Sequence, residues 1–557
     1  MRRLRALILA LALPLVAGCT PVALDRGAPA AHARRAPGDG ALAPLLEGVG
    51  TWSHPVATRS ARAQRFFDQG LRLTYAFNHA EAIRAFDEAA RLDPTCAMAF
   101  WGKALALGPN INDAMPAERE ERALAAIRRA QGLAAAGASE SERAYVDALA
   151  RRYGEPAGEQ RAERDAAYAD AMADLARTHP EDADALTLSA AALMERTPWD
   201  YWEDPATPRP VTEQARAALE AAIALAPDHA GAHHYYIHLL EASAAPERAE
   251  ASADRLATLT TSAGHLVHMP AHIYARVGRY GDAIDANVRA VAADEDYLTQ
   301  CRAQGLYPVG YYPHNLHFLW YAATEAGASA VALDAARTTG TKAPPQELCH
   351  YPMLRDFLVT PMLASARFGR WDDVLALPAP DDAFARGIWH HVRSLALAAA
   401  GRVAEAEREV ARMRALVGAP GAAETMVVWG AVPSSTLLRL AAHVSAGRIA
   451  ARRGDHARAI RELEAAVRIE DALPYNEPPA WHQPPRHVLG ALQLGAGRAA
   501  DAERTYRQDL ERHRENGWAL FGLLQSLRAQ GKDASDVEER FRRAWARADV
   551  TLSASHF

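Results

Sequence analysis

The sequence predicts an all-α fold, an α-solenoid of helix-turn-helix repeats, on three observations. From Ala61 onward no run of alternating β-branched residues signals a sheet. Amphipathic helical patterns are instead broken by Gly or Pro about every 15 residues. A glycine followed five residues later by a small or apolar residue also recurs: Gly278 with Ala283, Gly327 with Ala332, Gly369 with Val374, Gly401 with Ala406, Gly454 with Ala459, and Gly497 with Ala502. Each glycine is expected to end one helix in the left-handed conformation. Each small residue is expected to open the packing face of the next helix.

Composition narrows the function. The chain has 557 residues, of which 50% are hydrophobic and 23% charged, an ordinary globular balance. A mean hydropathy of -0.20 excludes a polytopic membrane protein. Lys plus Arg is 62 against 68 for Asp plus Glu, a net charge of -6. Nucleic-acid binding loses its main electrostatic argument and is not expected. Four cysteines cannot form a disulfide scaffold in a chain of this length.

Taken in order, the chain opens with Arg2, Arg3 and Arg5 and an apolar run from Ala6 to Val16. The run is too short for a permanent membrane helix and reads as a signal peptide over residues 1–18. Val16-Ala17-Gly18-Cys19 resembles the lipobox of bacterial lipoproteins. The resemblance implies acylation at Cys19 and a membrane anchor through the N-terminal lipid. Thr20 after it resembles the outer-membrane sorting signal, which implies a periplasm-facing protein of the cell envelope. Residues 19–50 carry many Pro, Gly and Ala residues and are expected to form a flexible linker. Residues 51–557 are expected to form the repeat array.

Gln64 to Pro94 carries Phe66, Gly70, Ala82, Phe86, Ala89 and Pro94. This set resembles the tetratricopeptide repeat, a helix-turn-helix unit of 34 residues, at slots 4, 8, 20, 24, 27 and 32. The resemblance implies a right-handed superhelix. Setting the residue after each turn glycine at slot 20 places repeat starts at 264, 313, 355, 387, 440 and 483, with an earlier one at 230. About a dozen units follow, degenerate over residues 110–200. Four segments also resemble a group of bacterial tetratricopeptide-repeat proteins: Phe77-Asn78-His79 with Asp93 to Met98, Leu107 to Asn110, His265 to Tyr274, and Tyr311 to Phe318.

The chain has no P-loop, GxGxxG, HExxH, CxxC or GxSxG motif, so a non-catalytic role is expected. Histidine is the unusual residue. His265, His268 and His272 occupy slots 2, 5 and 9 of one repeat, His234 and His238 slots 5 and 9 of another, and His314 and His317 slots 2 and 5 of a third. At about 100° per residue these slots lie roughly 125° from the packing slots. In the tetratricopeptide repeat that face lines the concave groove, which implies one histidine-rich groove surface. His391 and His487, at slot 5 of later repeats, are expected to extend it.

Three readings of that surface stay open. The first is a scaffold holding a protein or peptide partner. The second is a metal site for zinc, copper or iron on His234, His238, His268 and His272, whose i, i+4 spacing lets two imidazoles reach one ion, with Met269 or Cys301 as added soft ligands. In the third, several histidines are structural. Trp199 to Trp202, Trp429 and the Pro474 to Pro485 segment are expected to pack as loops or spacers, the alternative being a ligand clamp. Cys96, Cys301 and Cys349 are expected as buried thiols, with a Cys301–Cys349 disulfide as the alternative.

Overall fold

A computed structural model describes residues 40–301, 305–343, 348, 351–419 and 425–557. Cys19, the signal peptide and Cys349 lie outside the described residues. Helices make up nearly all the regular structure of the described residues, beside two small antiparallel hairpins. One pairs Trp202–Asp204 with Thr207–Pro208, the other Met426–Val427 with Val432–Pro433. The array is an all-α solenoid in which each helix packs mainly on its neighbours in sequence.

The turn chemistry follows the glycine pattern. Gly278, Gly327, Gly369, Gly401, Gly454 and Gly497 all have positive φ, between 66° and 83°. A residue with a Cβ is strained there, which is why glycine recurs. The residues five positions on, from Ala283 to Ala502, are fully buried at 0% exposure. In the first repeat, Ala61–Tyr75 packs on His79–Leu92, and Asn78 caps the second helix by accepting from the Glu81 amide. Phe86 lies between Gly70 and Gly102: a Cβ on either would come within 2.7 or 2.3 Å of its ring. Phe66, Ala82 and Ala89 are buried beside it, and Pro94 follows the end of the second helix. Ala82→Leu is expected to overpack this crossing and to destabilise by about 1–3 kcal/mol. An unchanged melting temperature would count against the register.

Residues 110–200 carry no legible repeat signature but still form regular helices: Ala117–Gly137, Glu140–Ala150, Arg161–Thr178 and Ala183–Arg196. Their pairing comes from buried Ala, Leu and Tyr faces without the marker residues. The expected linker over 19–50 is too long. Residues 40–50 lie against the helices, with Ala43 and Val49 buried, the Leu46 amide donating to Gln69 Oε1 at 2.7 Å, and the Thr261 amide donating to Gly48 O at 2.8 Å. Asp184 ties down the following segment. Its carboxylate accepts from Trp52 Nε1, His54 Nδ1, His229 Nε2 and the Tyr75 hydroxyl at 2.6–3.1 Å.

The superhelix turns far enough for late residues to meet early ones. Tyr475 bonds Glu241, Arg514 bonds Glu247, Arg547 pairs with Asp285, and Trp518 donates to the Thr324 carbonyl. The inner helix faces are therefore closed over rather than displayed along an open groove.

Candidate metal centre

Three helical segments carry the histidines inward. Ala230–Leu240 brings His234 and His238. The next segment is split at Pro270, so His265 and His268 lie on Gly264–His268 and His272 on Pro270–Arg276. Proline cannot donate to the helix ladder, and the break falls there. Tyr312–Glu325 brings His314, after a π-helical turn over Tyr307–Tyr311.

Six of the nine expected residues come together. His234, His238 and His265 form one triad whose ligand nitrogens lie within 4.8 Å of one another, and His268, His272 and His314 form a second. The triads adjoin, with the His238 and His272 rings 5.6 Å apart and the His265 and His268 rings 5.9 Å apart. Three residues lie elsewhere. His317 stacks on Trp320 at 5.0 Å, His391 bonds Ser445 Oγ at 2.8 Å, and His487 bonds Asp509 at 2.9 Å. Slot arithmetic gave them the same face, but His391 and His487 belong to later repeats that have rotated away, while His317, on the same helix as His314, turns to Trp320 and Phe357. Neither Met269 nor Cys301 joins the triads: Met269 is packed in the core, and the Cys301 thiol faces Glu81.

The expected groove surface is a buried chamber. All six imidazoles are at most 6% exposed. Their outer nitrogens are held by acceptors. His234 Nδ1 donates to the Tyr75 carbonyl at 2.6 Å, and His238 Nδ1 and His272 Nδ1 donate to the two oxygens of Glu241 at 2.7 and 2.5 Å. His268 Nδ1 donates to Asn287 Oδ1 at 2.7 Å, while Asn287 Nδ2 donates to the Ala283 carbonyl, so its oxygen must face the ring. A proton fixed on Nδ1 leaves the Nε2 lone pair as the inward ligand atom. Four histidines are thus set in one tautomer, with Nε2 pointing inward.

Protons alone satisfy only part of this arrangement. His268 Nε2 and His272 Nε2 approach to 2.8 Å, and His234 Nε2 and His265 Nε2 to 3.1 Å. His238 Nε2, His265 Nδ1 and His314 Nδ1 are buried and have no hydrogen-bond partner. Burial first, then neighbouring histidines, pushes His234, His265, His268 and His314 well below their ordinary value, so they are neutral at pH 7. His272 goes the other way. Burial would depress it, but the Glu241 and Glu477 carboxylates raise it. One proton on His272 then bridges to His268, and a transition-metal ion would replace that proton with a better partner for both lone pairs. The donor set of neutral imidazoles with carboxylate at its edge fits zinc, copper, nickel or iron.

Glu241 and Glu477 were missed in sequence. Glu241 lies three residues after His238 on the same helical face, a signal that was present. Glu477 comes from the Pro-rich segment, 3.5 Å from His272. No local pattern announces that contact.

Phe77 was missed as well. It occupies the turn position five residues before Ala82, where six later turns use glycine, and its φ is +56°. For a bulky residue this costs about 1–3 kcal/mol. Its ring lies 4.5 Å from His234, 5.3 Å from His265 and 5.9 Å from His238. Trp199 and Trp429 also have positive φ, of 64° and 54°, and both border the chamber. Three of the six non-glycine residues with positive φ among the described residues therefore surround the histidines. A cavity of about 290 Å³ opens from His238, His265, His272 and His314 toward these tryptophans.

No family profile matches the chain, and no curated relative is found. Among solved structures it is similar to the human IFIT1 dimer with m7Gppp-AAAA, at 12% identity over 89% of this chain and 92% of that one, with a TM-score of 0.33. It is also similar to the APC/C hetero-tetramer Cut9–Hcn1, at 11% identity over 88% and 78%, TM-score 0.30. Yeast Tom70 matches at 11% identity over 87% and 91%, TM-score 0.26. The architecture stands on the chain's own helix pairs, left-handed turn glycines and buried small residues, which make an all-α array of helix-turn-helix repeats.

Proposed function

We propose that the chain is a metal-binding helical-repeat protein whose six-histidine chamber holds a transition-metal ion. The observation that carries this reading is the set of four imidazoles locked by Tyr75 O, Glu241 and Asn287 with their Nε2 atoms turned inward. The pairs His234–His265 and His268–His272 bring two Nε2 atoms together with room for only one proton between them, and His238 Nε2 has no hydrogen-bond partner. The repeat array is also a scaffold, but a protein or peptide partner would have to dock outside the chamber, because the imidazoles are buried. Nucleic acid is no part of this reading, since acids outnumber bases and Glu241 and Glu477 border the cavity.

The test is a thermal melt of metal-stripped protein with added zinc or copper(II). An ion at about 100 times its Kd stabilises by about 2.7 kcal/mol. The expected result is a rise of several degrees that the His268→Ala, His272→Ala variant loses. No shift with either metal, and no metal in protein purified from native membranes, would overturn the reading.

For the address, the proposal is a lipid anchor at Cys19 in the bacterial envelope, with the array facing the periplasm. Its support is the Val16-Ala17-Gly18-Cys19 sequence. No helix among the described residues is long and apolar enough to cross a membrane. Blocking lipoprotein signal cleavage is expected to leave a larger precursor. A Cys19→Ala variant with wild-type mobility would remove the anchor.

A further inference from the structure

The cavity in front of the histidines is walled on its outer side by loop insertions, three of which carry aromatic side chains. Trp199 precedes the hairpin at Trp202–Pro208, Trp429 sits in the turn of the Met426–Pro433 hairpin, and Tyr475 to Glu477 belong to the Pro-rich segment. The two tryptophans reach the cluster from different sides. Trp199 meets the His238 ring edge-on at 5.3 Å, and Trp429 meets the His314 ring edge-on at 5.7 Å. Each is pinned by a specific bond: Trp199 Nε1 donates to Asn112 Oδ1 at 3.0 Å, and the Trp429 amide donates to the Met353 carbonyl at 3.0 Å.

Packing under a loop, the expectation for both residues, holds for part of Trp429, which packs against Leu354 and Phe357, but does not account for Trp199. Trp199 is 42% exposed although its backbone is held at positive φ. A large apolar side chain left open at the mouth of a cavity, on strained backbone, is placed for something that arrives there. The third side adds polar atoms. The Tyr475 hydroxyl donates to Glu241 Oε2 at 3.1 Å, and Tyr311 packs 4.8 Å from His265.

We propose that this cavity binds a small planar compound, a single aromatic or heteroaromatic ring bearing a metal-directed donor group. The ring lies against Trp199 and Trp429, and the donor points to the histidine-held ion. The proposal rests on the metal reading for the donor and on the tryptophans for the ring. Size supports it. The cavity of about 290 Å³ is roughly twice the ~150 Å³ that holds benzene in an engineered core, so it has room for one substituted ring. Two indoles and two phenols offer faces for a ring, and the polar groups gather at the histidine end, where the donor would point.

The experiment compares benzohydroxamate with acetohydroxamate on zinc-loaded full chain by calorimetry. The two share a chelating group and differ in the ring. Benzohydroxamate is expected to bind about tenfold more tightly or better. In a Trp199→Ala, Trp429→Ala variant with wild-type zinc content, the two affinities are expected to converge to within about twofold. Trp199→Ala alone, at an exposed position, guards against a folding defect and is expected to lose part of the preference. Equal affinities on wild-type protein, or an unchanged preference in the double variant, would overturn the proposal. If no zinc loads, the metal reading fails by itself. Benzamide against acetamide on metal-free protein then tests the ring site: preferential benzamide binding lost in the double variant supports it, and no preference overturns it.

Discussion

Asp294→Asn is expected to raise thermal stability markedly at pH 8 and to leave it nearly unchanged near pH 4. Asp294 is fully buried on the helix Tyr280–Gln300, beside Gly264 at the start of a histidine segment. Its carboxylate accepts from the Tyr307 hydroxyl at 2.8 Å and from Asn315 Nδ2 at 2.7 Å, and no cation among the described residues pairs with it. Burial pushes its pKa up to about 7 from an ordinary 3.8, and the two hydrogen bonds offset only part of that. A carboxyl whose folded value is raised binds its proton more tightly in the folded state. Stability is therefore intact below the unfolded value and falls as pH rises from about 4 to about 7. Above that range the wild type has lost about 4 kcal/mol, which asparagine retains. The amide also fits. Asn315 Oδ1 has no hydrogen-bond partner, so a flipped Asn315 can accept from the new amide while Tyr307 keeps an acceptor. Melting temperatures from pH 4 to 8 test this. Parallel curves for variant and wild type would mean that the buried carboxylate is not raised.

Phe77→Gly is expected to weaken metal binding by about 10–100-fold while the protein still folds. Glycine is what six other turns use at this register, so the substitution relaxes a backbone held at φ +56°. The relaxation returns about 1–3 kcal/mol, against about 3–5 kcal/mol for losing a buried phenyl ring. The net destabilisation is thus modest, at about 2 kcal/mol. The metal site fares worse. The ring packs against His234, His238 and His265, and removing it frees three of the six ligand rings to reorient. Chelator competition measures the affinity, and the melting temperature of metal-free protein measures the fold. Wild-type affinity in a folded variant would make Phe77 a packing residue with no bearing on the centre.

The helical array, its turns and its packing face were legible in sequence because each depends on a few adjacent residues. Positive φ at Gly278 or Gly454 is a steric demand of one position, and Ala283 or Ala459 follows at a fixed helical offset. The inward direction of His234, His238, His265, His268, His272 and His314 was legible for the same reason, since 3.6 residues per turn puts them on one face. Glu241 was also within reach, three residues after His238 on the same helical face. Burial was decided by tertiary structure. Whether a face lines an open groove or a closed chamber depends on rotation summed over many repeats, and small rotations leave no local mark. That sum carries Tyr475 and Glu477 onto Glu241 and His272, more than 200 positions away, and carries His391 and His487 out of the cluster. It also decides the tautomers, because the carbonyl that fixes His234 belongs to Tyr75, 159 positions earlier. Sequence determined which side chains face inward; only the closed superhelix determined what they face.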